Sequence, residues 1–290
     1  MSVFERAAVI GLGLIGGSVA RDLSALGVRV LAFDTDTGHL DAAVRDGIVH
    51  DTLSADLAGV GCADLIVVAV PVDAALDVLR RIAPHAATTR LITDVGSTKE
   101  RIVSAAHGLG LGDRFVGSHP MAGDHRSGWD ASRAGLFQDA QVYLCPVDDG
   151  PASLADLAAA LWRDLGARPL LVSAVDHDQT LAWTSHLPHM VSTALALALA
   201  RQGVGRDELG SGGRDVTRLA GSSPDVWTAI ARDNGPAIDA ALAAAEQEIA
   251  GIRRALNRPD DIAMRERFAA ARAWFLTPQC SRHASSALHE

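Results

Sequence analysis

The chain has 290 residues, 48% hydrophobic and 21% charged, with a formal net charge of -9 at pH 7. Apolar sequence spread over that length excludes a mainly disordered protein and suffices for two domains. The acidic balance excludes a non-specific nucleic-acid binder, which needs a basic footprint. Of the 26 basic residues, 25 are Arg and one is Lys, at position 99. The three cysteines, Cys62, Cys145 and Cys280, form no CxxC pair, and an odd number completes no disulfide framework. A reducing cytoplasm is the expected setting. No basic stretch followed by a long apolar run opens the chain, so no signal peptide is expected. The most apolar helical stretch, 190–200, is too short to span a bilayer.

In chain order, short apolar runs alternate with amphipathic segments. The runs are Ala7-Ala8-Val9-Ile10, 28–33, 65–70 and 91–94, each of strand length and ending at Gly, Asp or Pro. Helical patterns lie between them at 16–26 and 73–82. Such alternation predicts a buried, mostly parallel sheet with helices on both faces. The runs 115–117, 142–144 and 170–172 extend that sheet. From Asp176 the periodicity is helical, over 176–201, 226–233, 236–256 and 260–274, with no strand. The expectation is an α/β fold: a Rossmann-type dinucleotide-binding domain over 1–173, an all-helical domain over 174–277 and a flexible tail over 278–290.

Gly11-Leu12-Gly13-Leu14-Ile15-Gly16 has the context that gives a GxGxxG meaning. A strand precedes it, a helix follows, and Asp34 ends the next strand. Gly11 permits the turn, Gly13 lets backbone approach a pyrophosphate, and Gly16 lets helix pack on strand. The helix N-terminus turns free N–H groups to the phosphates. Asp34 accepts both ribose hydroxyls and repels a 2′-phosphate, which favours NAD over NADP. Val70 and Pro71, after the third run, complete the expected cofactor contacts.

Four further motifs carry polar groups. In Asp94-Val95-Gly96-Ser97-Thr98-Lys99, either Ser97 or Thr98 caps the following helix, or Ser97 orients a catalytic group. In Gly117-Ser118-His119-Pro120-Met121-Ala122-Gly123, His119 follows an apolar run, is held by Pro120 and is flanked by glycines. It suits accepting a proton from a substrate hydroxyl, with activity falling through a pKa of about 6.5. Asp176-His177-Asp178 and Ser185-His186-Leu187-Pro188-His189 bring three His together. Their spacing is not that of HExxH, so no metal is expected, and they read as polar groups lining a cleft. Arg214 and Arg218 follow a Gly-rich turn four residues apart, where a helix would set both on one side as a carboxylate fork.

Taken in series, these motifs resemble the prephenate and arogenate dehydrogenases of tyrosine biosynthesis, over roughly residues 6 to 275. The residues that carry the likeness are GLGLIGGS, DVGSTK, GSHPMAG, HDQTLAWTSHLPH and GGRDVTRLA with PDVW. The resemblance implies NAD-dependent oxidative decarboxylation of prephenate to 4-hydroxyphenylpyruvate, with arogenate or dual specificity as the alternative. By that likeness His119 accepts the ring hydroxyl's proton, Ser97 sits beside it, and Arg218 grips a substrate carboxylate. Ser185, His189 and Trp227 match other pocket positions, and the helical domain matches a dimerisation domain. The expected partners are an anionic small-molecule substrate and a second copy of the chain, with no nucleic acid and no membrane.

One position departs from the family pattern. Many members carry Glu where His125 stands, which bears on how a keto or an amino side chain is received. The residues after Trp274 are too few for the regulatory domain of some members, so any inhibition by tyrosine would act near the active site. Two other classes compete. A β-hydroxyacid dehydrogenase would put a catalytic Lys in the helical half, where this chain has none. A non-catalytic NAD-sensing regulator would have no use for Ser97, His119 and Arg218 in these motifs.

Overall fold

The computed structural model describes residues 2–123, 126–257 and 261–277. Its first part runs β1 (Arg6–Ile10), α1 (Leu14–Ala25), β2 (Arg29–Phe33), α2 (Thr37–Arg45), β3 (Asp51–Thr52), β4 (Leu65–Val68), α3 (Val72–Ile82), β5 (Leu91–Asp94), α4 (Glu100–Gly108), β6 (Phe115–Pro120), β7 (Gln141–Pro146), α5 (Ala152–Asp164) and β8 (Arg168–Leu171). The eight strands form one sheet in the order β3-β2-β1-β4-β5-β6-β7-β8. All neighbours are parallel except β6 and β7.

The continuous apolar runs follow from burial on both faces. Ala7, Val9, Leu65 and Val67 point into a core with Leu23 and Trp162. Their alternates Ala8, Ile10, Ile66 and Val68 point into a second core with Leu76, Leu79 and Ile102. The side-chain period of two sends neighbours to opposite faces, so a strand covered on both sides needs apolar residues throughout. The chain leaves β1 for β2 on one side and later enters β4 on the other. That switch opens a crevice at the strands' carboxyl ends, the usual ligand position in such sheets.

Beyond β8 the described residues form helices and turns only. They are α6 (Ala174–Leu181), α7 (Leu187–Arg201), α8 (Ser211–Val216), α9 (Pro224–Asp233), α10 (Gly235–Asn257) and α11 (Asp261–Leu276). A π-helical turn at Ala182–His186 joins α6 to α7. Pro188 has no N–H for the carbonyl of Thr184, which explains why regular helix gives way there.

The β/α pattern ends near Ser173, but compactness divides the chain elsewhere, into Met1–Ile238 and Asp239–Glu290. The reason is that α6 packs on α4 and β7, and α9 packs on α3. Arg232 reaches both oxygens of Asp73 at 3.0 Å, and Arg101 reaches Asp233 at 2.6 Å. The described residues of the second unit are helical but for Thr277, and Arg267 pairs with Glu248 at 2.7 Å. The tail expected over 278–290 lies outside the described residues. Among those residues no helix is long and apolar enough to cross a membrane.

Candidate active site

The glycine motif bridges β1 and α1. Gly11 has φ +96°, and a Cβ there would stand 2.3 Å from the Ala69 carbonyl oxygen. A Cβ on Gly16 would meet the Gly11 carbonyl oxygen at 2.0 Å. Both positions therefore exclude any side chain. Gly13 differs: nothing lies within 4 Å of its would-be Cβ. It caps α1 with no side-chain bond, and no acidic residue stands in the first turn. The space beside Gly13 is thus open, and no side chain caps the first N–H groups of the helix, as a pyrophosphate requires.

Asp34 accepts from Leu12 N at 2.5 Å and Asp36 N at 2.8 Å. Those bonds fix the carboxylate beside the glycine turn, and each oxygen retains a lone pair for a ribose hydroxyl. Leu14 and Ile15 open α1. Val70 and Pro71 follow β4 at the crevice, where Val70 Cγ1 lies 3.0 Å from the would-be Cβ of Gly11. These residues fit a dinucleotide without a 2′-phosphate.

Next along the sheet, Ser97 and His119 line one cavity of about 1240 Å³. Pro120, Met121, Ala122 and Gly123 line it too, as do Ser185, His189, Arg218 and Trp227. The π-helical turn carries Ser185, and His189 stacks on Trp227 with ring centroids 3.7 Å apart. Arg214 is exposed and does not line this cavity. Here the structure corrects the carboxylate fork. Helix α8 stops at Val216 and Arg218 opens a separate 3-10 turn, so spacing of four no longer aligns the two side chains. His125 lies outside the described residues.

His119 is the penultimate residue of β6, buried opposite Tyr143 of β7. Its Nδ1 lies 2.9 Å from His177 Nε2, and His177 Nδ1 lies 2.7 Å from an Asp178 oxygen. Asp178 also accepts Lys99 N at 2.8 Å and Glu100 N at 2.9 Å. This corrects the capping expectation. Neither Ser97 nor Thr98 caps α4; the carboxylate of Asp178, 79 residues on, takes those N–H groups. Ser97 is thereby left to line the cavity, while Thr98 donates to Asp233.

Lys99 is wholly buried. Its Nζ pairs with Asp94 and donates to the Ser118 carbonyl at 2.9 Å. Asp94 also accepts Gly96 N at 2.8 Å and Ser118 N at 3.2 Å. The first and last residues of DVGSTK are thus one ion pair locking the residue before His119. On the other face, Trp162 donates to Ser118 Oγ at 2.9 Å. No pattern of spacing marks Asp94, His177 or Asp178 as partners. The lone Lys and the Asp-His-Asp tripeptide are the only signals that could have found them. Among the described residues no three His, Cys, Asp or Glu gather as for a metal ion.

Burial is the main cause that holds the His119 pKa well below its ordinary 6.5, with His177, Lys99 and His186 adding to it. Burial also lowers His177, and takes His186 and His189 to about 4. The sequence expectation of loss through about 6.5 is therefore revised. His119 must be neutral to accept a proton, so the acid limb moves down with its pKa. We expect kcat/KM to stay level from pH 8 to 6 and to fall only at lower pH. A steady-state pH profile with its midpoint at 6.5 or above would contradict this environment.

A buried neutral imidazole beside a dinucleotide cradle suits removal of an alcohol proton during oxidation. The class is thus that of nicotinamide-linked dehydrogenases. The family model described as "Prephenate dehydrogenase, nucleotide-binding domain" matches residues 19–171, and "Prephenate dehydrogenase, dimerization domain" matches 173–270. Cyclohexadienyl dehydrogenase of Zymomonas mobilis is 35% identical over 92% of this chain and 94% of that protein. The crystal structure of A. aeolicus prephenate dehydrogenase with hydroxyphenyl propionate and NAD+ has TM-score 0.86 at 26% identity, covering 93% of this chain and 97% of that one. Synechocystis arogenate dehydrogenase has TM-score 0.78 at 30% identity, covering 93% and 100%. The chain belongs to the prephenate dehydrogenase family and is an oxidoreductase.

Proposed function

We propose that the chain is an NAD-dependent prephenate dehydrogenase of tyrosine biosynthesis, yielding 4-hydroxyphenylpyruvate and carbon dioxide. The observation that carries the reading is His119, a buried neutral imidazole on the same cavity as Ser97 and Arg218. When bound, NAD supplies the two-electron acceptor for the carbinol carbon. His119 takes the ring hydroxyl's proton and later returns it to the oxygen of the new phenol. Ser97 orients that hydroxyl. Arg218 holds a carboxylate, with Ser185, His189 and Trp227 shaping the rest of the pocket. Aromatisation supplies much of the driving force as carbon dioxide leaves, so the protein's task is alignment and proton handling.

The Zymomonas and Synechocystis relatives support a second reading, arogenate or dual specificity. NADH formation measured with each substrate and each cofactor decides among these. Turnover of prephenate with NAD is the expected result. A preference for NADP would sink the Asp34 assignment, and dinucleotide binding without turnover of either substrate would make the chain a non-catalytic sensor.

Arg218→Ala is expected to raise KM with little change in kcat. Loss of a charge-assisted contact of about 1.5–3 kcal/mol corresponds to roughly 10- to 150-fold. An unchanged KM for prephenate would remove Arg218 as the anchor. Part of the same reading is a cytoplasmic homodimer formed through the helical domain proposed over 174–277. Ile249, Ile252 and Leu256 of α10, and Phe268, Trp274 and Phe275 of α11, are exposed in the single chain. Apolar surface on that scale supports burial against a second copy.

A further inference from the structure

We propose that His177, held by Asp178, is a positioning residue that fixes the tautomer of His119 and shares the proton His119 takes up. The proposal rests on His119 being the base of the reaction. The chain of contacts is Asp178 to His177 at 2.7 Å and His177 to His119 at 2.9 Å. It begins on α6 and ends on β6, and its two imidazoles are 58 residues apart in sequence.

The direction of each hydrogen bond follows from its terminus. Burial alone would raise the pKa of Asp178, but hydrogen bonds from His177, Glu100 N and Lys99 N outweigh it and hold the pKa below the ordinary value. Asp178 is therefore an ionised carboxylate, which only accepts. His177 Nδ1 must carry a hydrogen to face it. Burial keeps His177 neutral at working pH, so its Nε2 is a bare lone pair. His119 Nδ1 must then be the donor across the 2.9 Å contact. That leaves His119 Nε2 unprotonated on the opposite side of the ring, and His119 lines the substrate cavity. An imidazole in the other tautomer would present N–H to the substrate hydroxyl and could not act as base.

The same chain handles charge. When His119 Nε2 binds the substrate's proton, the Nδ1 proton can pass to His177 Nε2. The positive charge then sits against Asp178, and the movement reverses when the proton returns to product. The other groups around the pair work against a cation on His119 itself. Lys99 Nζ lies close by, committed to Asp94 and the Ser118 carbonyl, and His186 adds repulsion if it is protonated. The Tyr143 ring, 5.2 Å from His177 and 6.5 Å from His119, packs beside the pair without serving as an acceptor for Nδ1. Asp178 is thus the carboxylate that the hydrogen-bond chain from His119 reaches, and it does so through His177.

Histidine-selective ¹⁵N NMR of the intact free protein at pH 7.5 tests the tautomer directly. The expected result is Nδ1–H on both His119 and His177. An Nε2–H signal on His119 would overturn the proposal, whether or not any variant folds. Kinetics with prephenate and NAD supply the second arm. His177→Phe is expected to lower kcat by about 10²- to 10⁴-fold, the upper figure being what loss of tautomer control costs a Ser-His-Asp triad, with KM moving less than threefold. His177→Gln places a carbonyl acceptor near the former Nε2. It should keep Nδ1–H on His119 and recover about tenfold of the loss without carrying charge. A His177→Phe enzyme within twofold of the parent kcat would also overturn the proposal. If the parent protein turns over neither prephenate nor arogenate, the functional reading fails, while the NMR tautomer still decides the hydrogen-bond chain.

Discussion

His119→Asn is expected to lower kcat by about 10²–10⁴, the usual worth of a positioned general base. Asn is chosen because it separates chemistry from folding. Its amide N–H can still donate to His177 Nε2, so the buried partner is not left unpaired. What the variant lacks is a basic atom on the cavity side. KM should move little, since Arg218 and the pocket around His189 and Trp227 are untouched. Stopped-flow NADH formation under saturating substrate measures the chemical step, and dinucleotide binding by the variant confirms that the fold survives. Turnover above a tenth of the parent rate would mean that another group takes the hydroxyl proton.

What was legible in the sequence divides along physical lines. β1, β2 and β4 stood out because strands buried on both faces are apolar almost throughout. β3 escaped because Asp51–Thr52 is two exposed residues with no pattern to read. The glycine motif was legible because its spacing within one strand–turn–helix is fixed, with Gly16 pressed against the carbonyl of Gly11, although the backbone that crowds Gly11 itself belongs to the distant Ala69. His119 and Ser97 were found as members of motifs, and both line the cavity. The capping of α4 was not found, because its acceptor comes from another element 79 residues away. The same distance effect hid His177, which the sequence marked only as one polar group in a His-rich stretch. Arg214 misled for the opposite reason: a local rule about spacing held only while the helix continued, and α8 ends too soon.

Lys99→Met should destabilise the protein by about 3–5 kcal/mol, a large share of the roughly 5–15 kcal/mol typical of a folded domain. The side chain of Lys99 is 0% exposed and that of Asp94 1%, so removing the cation leaves an uncompensated buried carboxylate. Methionine keeps the length and the apolar stem, so the loss reports the charge and not a cavity. Pairing Lys99→Met with Asp94→Asn should restore part of the stability, because the stranded charge is gone. Denaturant midpoints of the two single variants and the double variant measure this coupling. Strict additivity would mean that the pair contributes nothing. Lys99→Arg is the sharper test, since Arg supplies every other basic side chain in this sequence. The stem of Lys99 runs beside Gly117, where even an added Cβ would come within 3.3 Å of Lys99 Cδ. A planar guanidinium needs more width than an ammonium, and Nζ already meets Asp94 and the Ser118 carbonyl at the end of that stem. Arginine should therefore fail here despite keeping the charge. That steric limit accounts for one lysine among twenty-six basic residues. It also ties the exception to function, because the carbonyl that Lys99 holds belongs to the residue before His119.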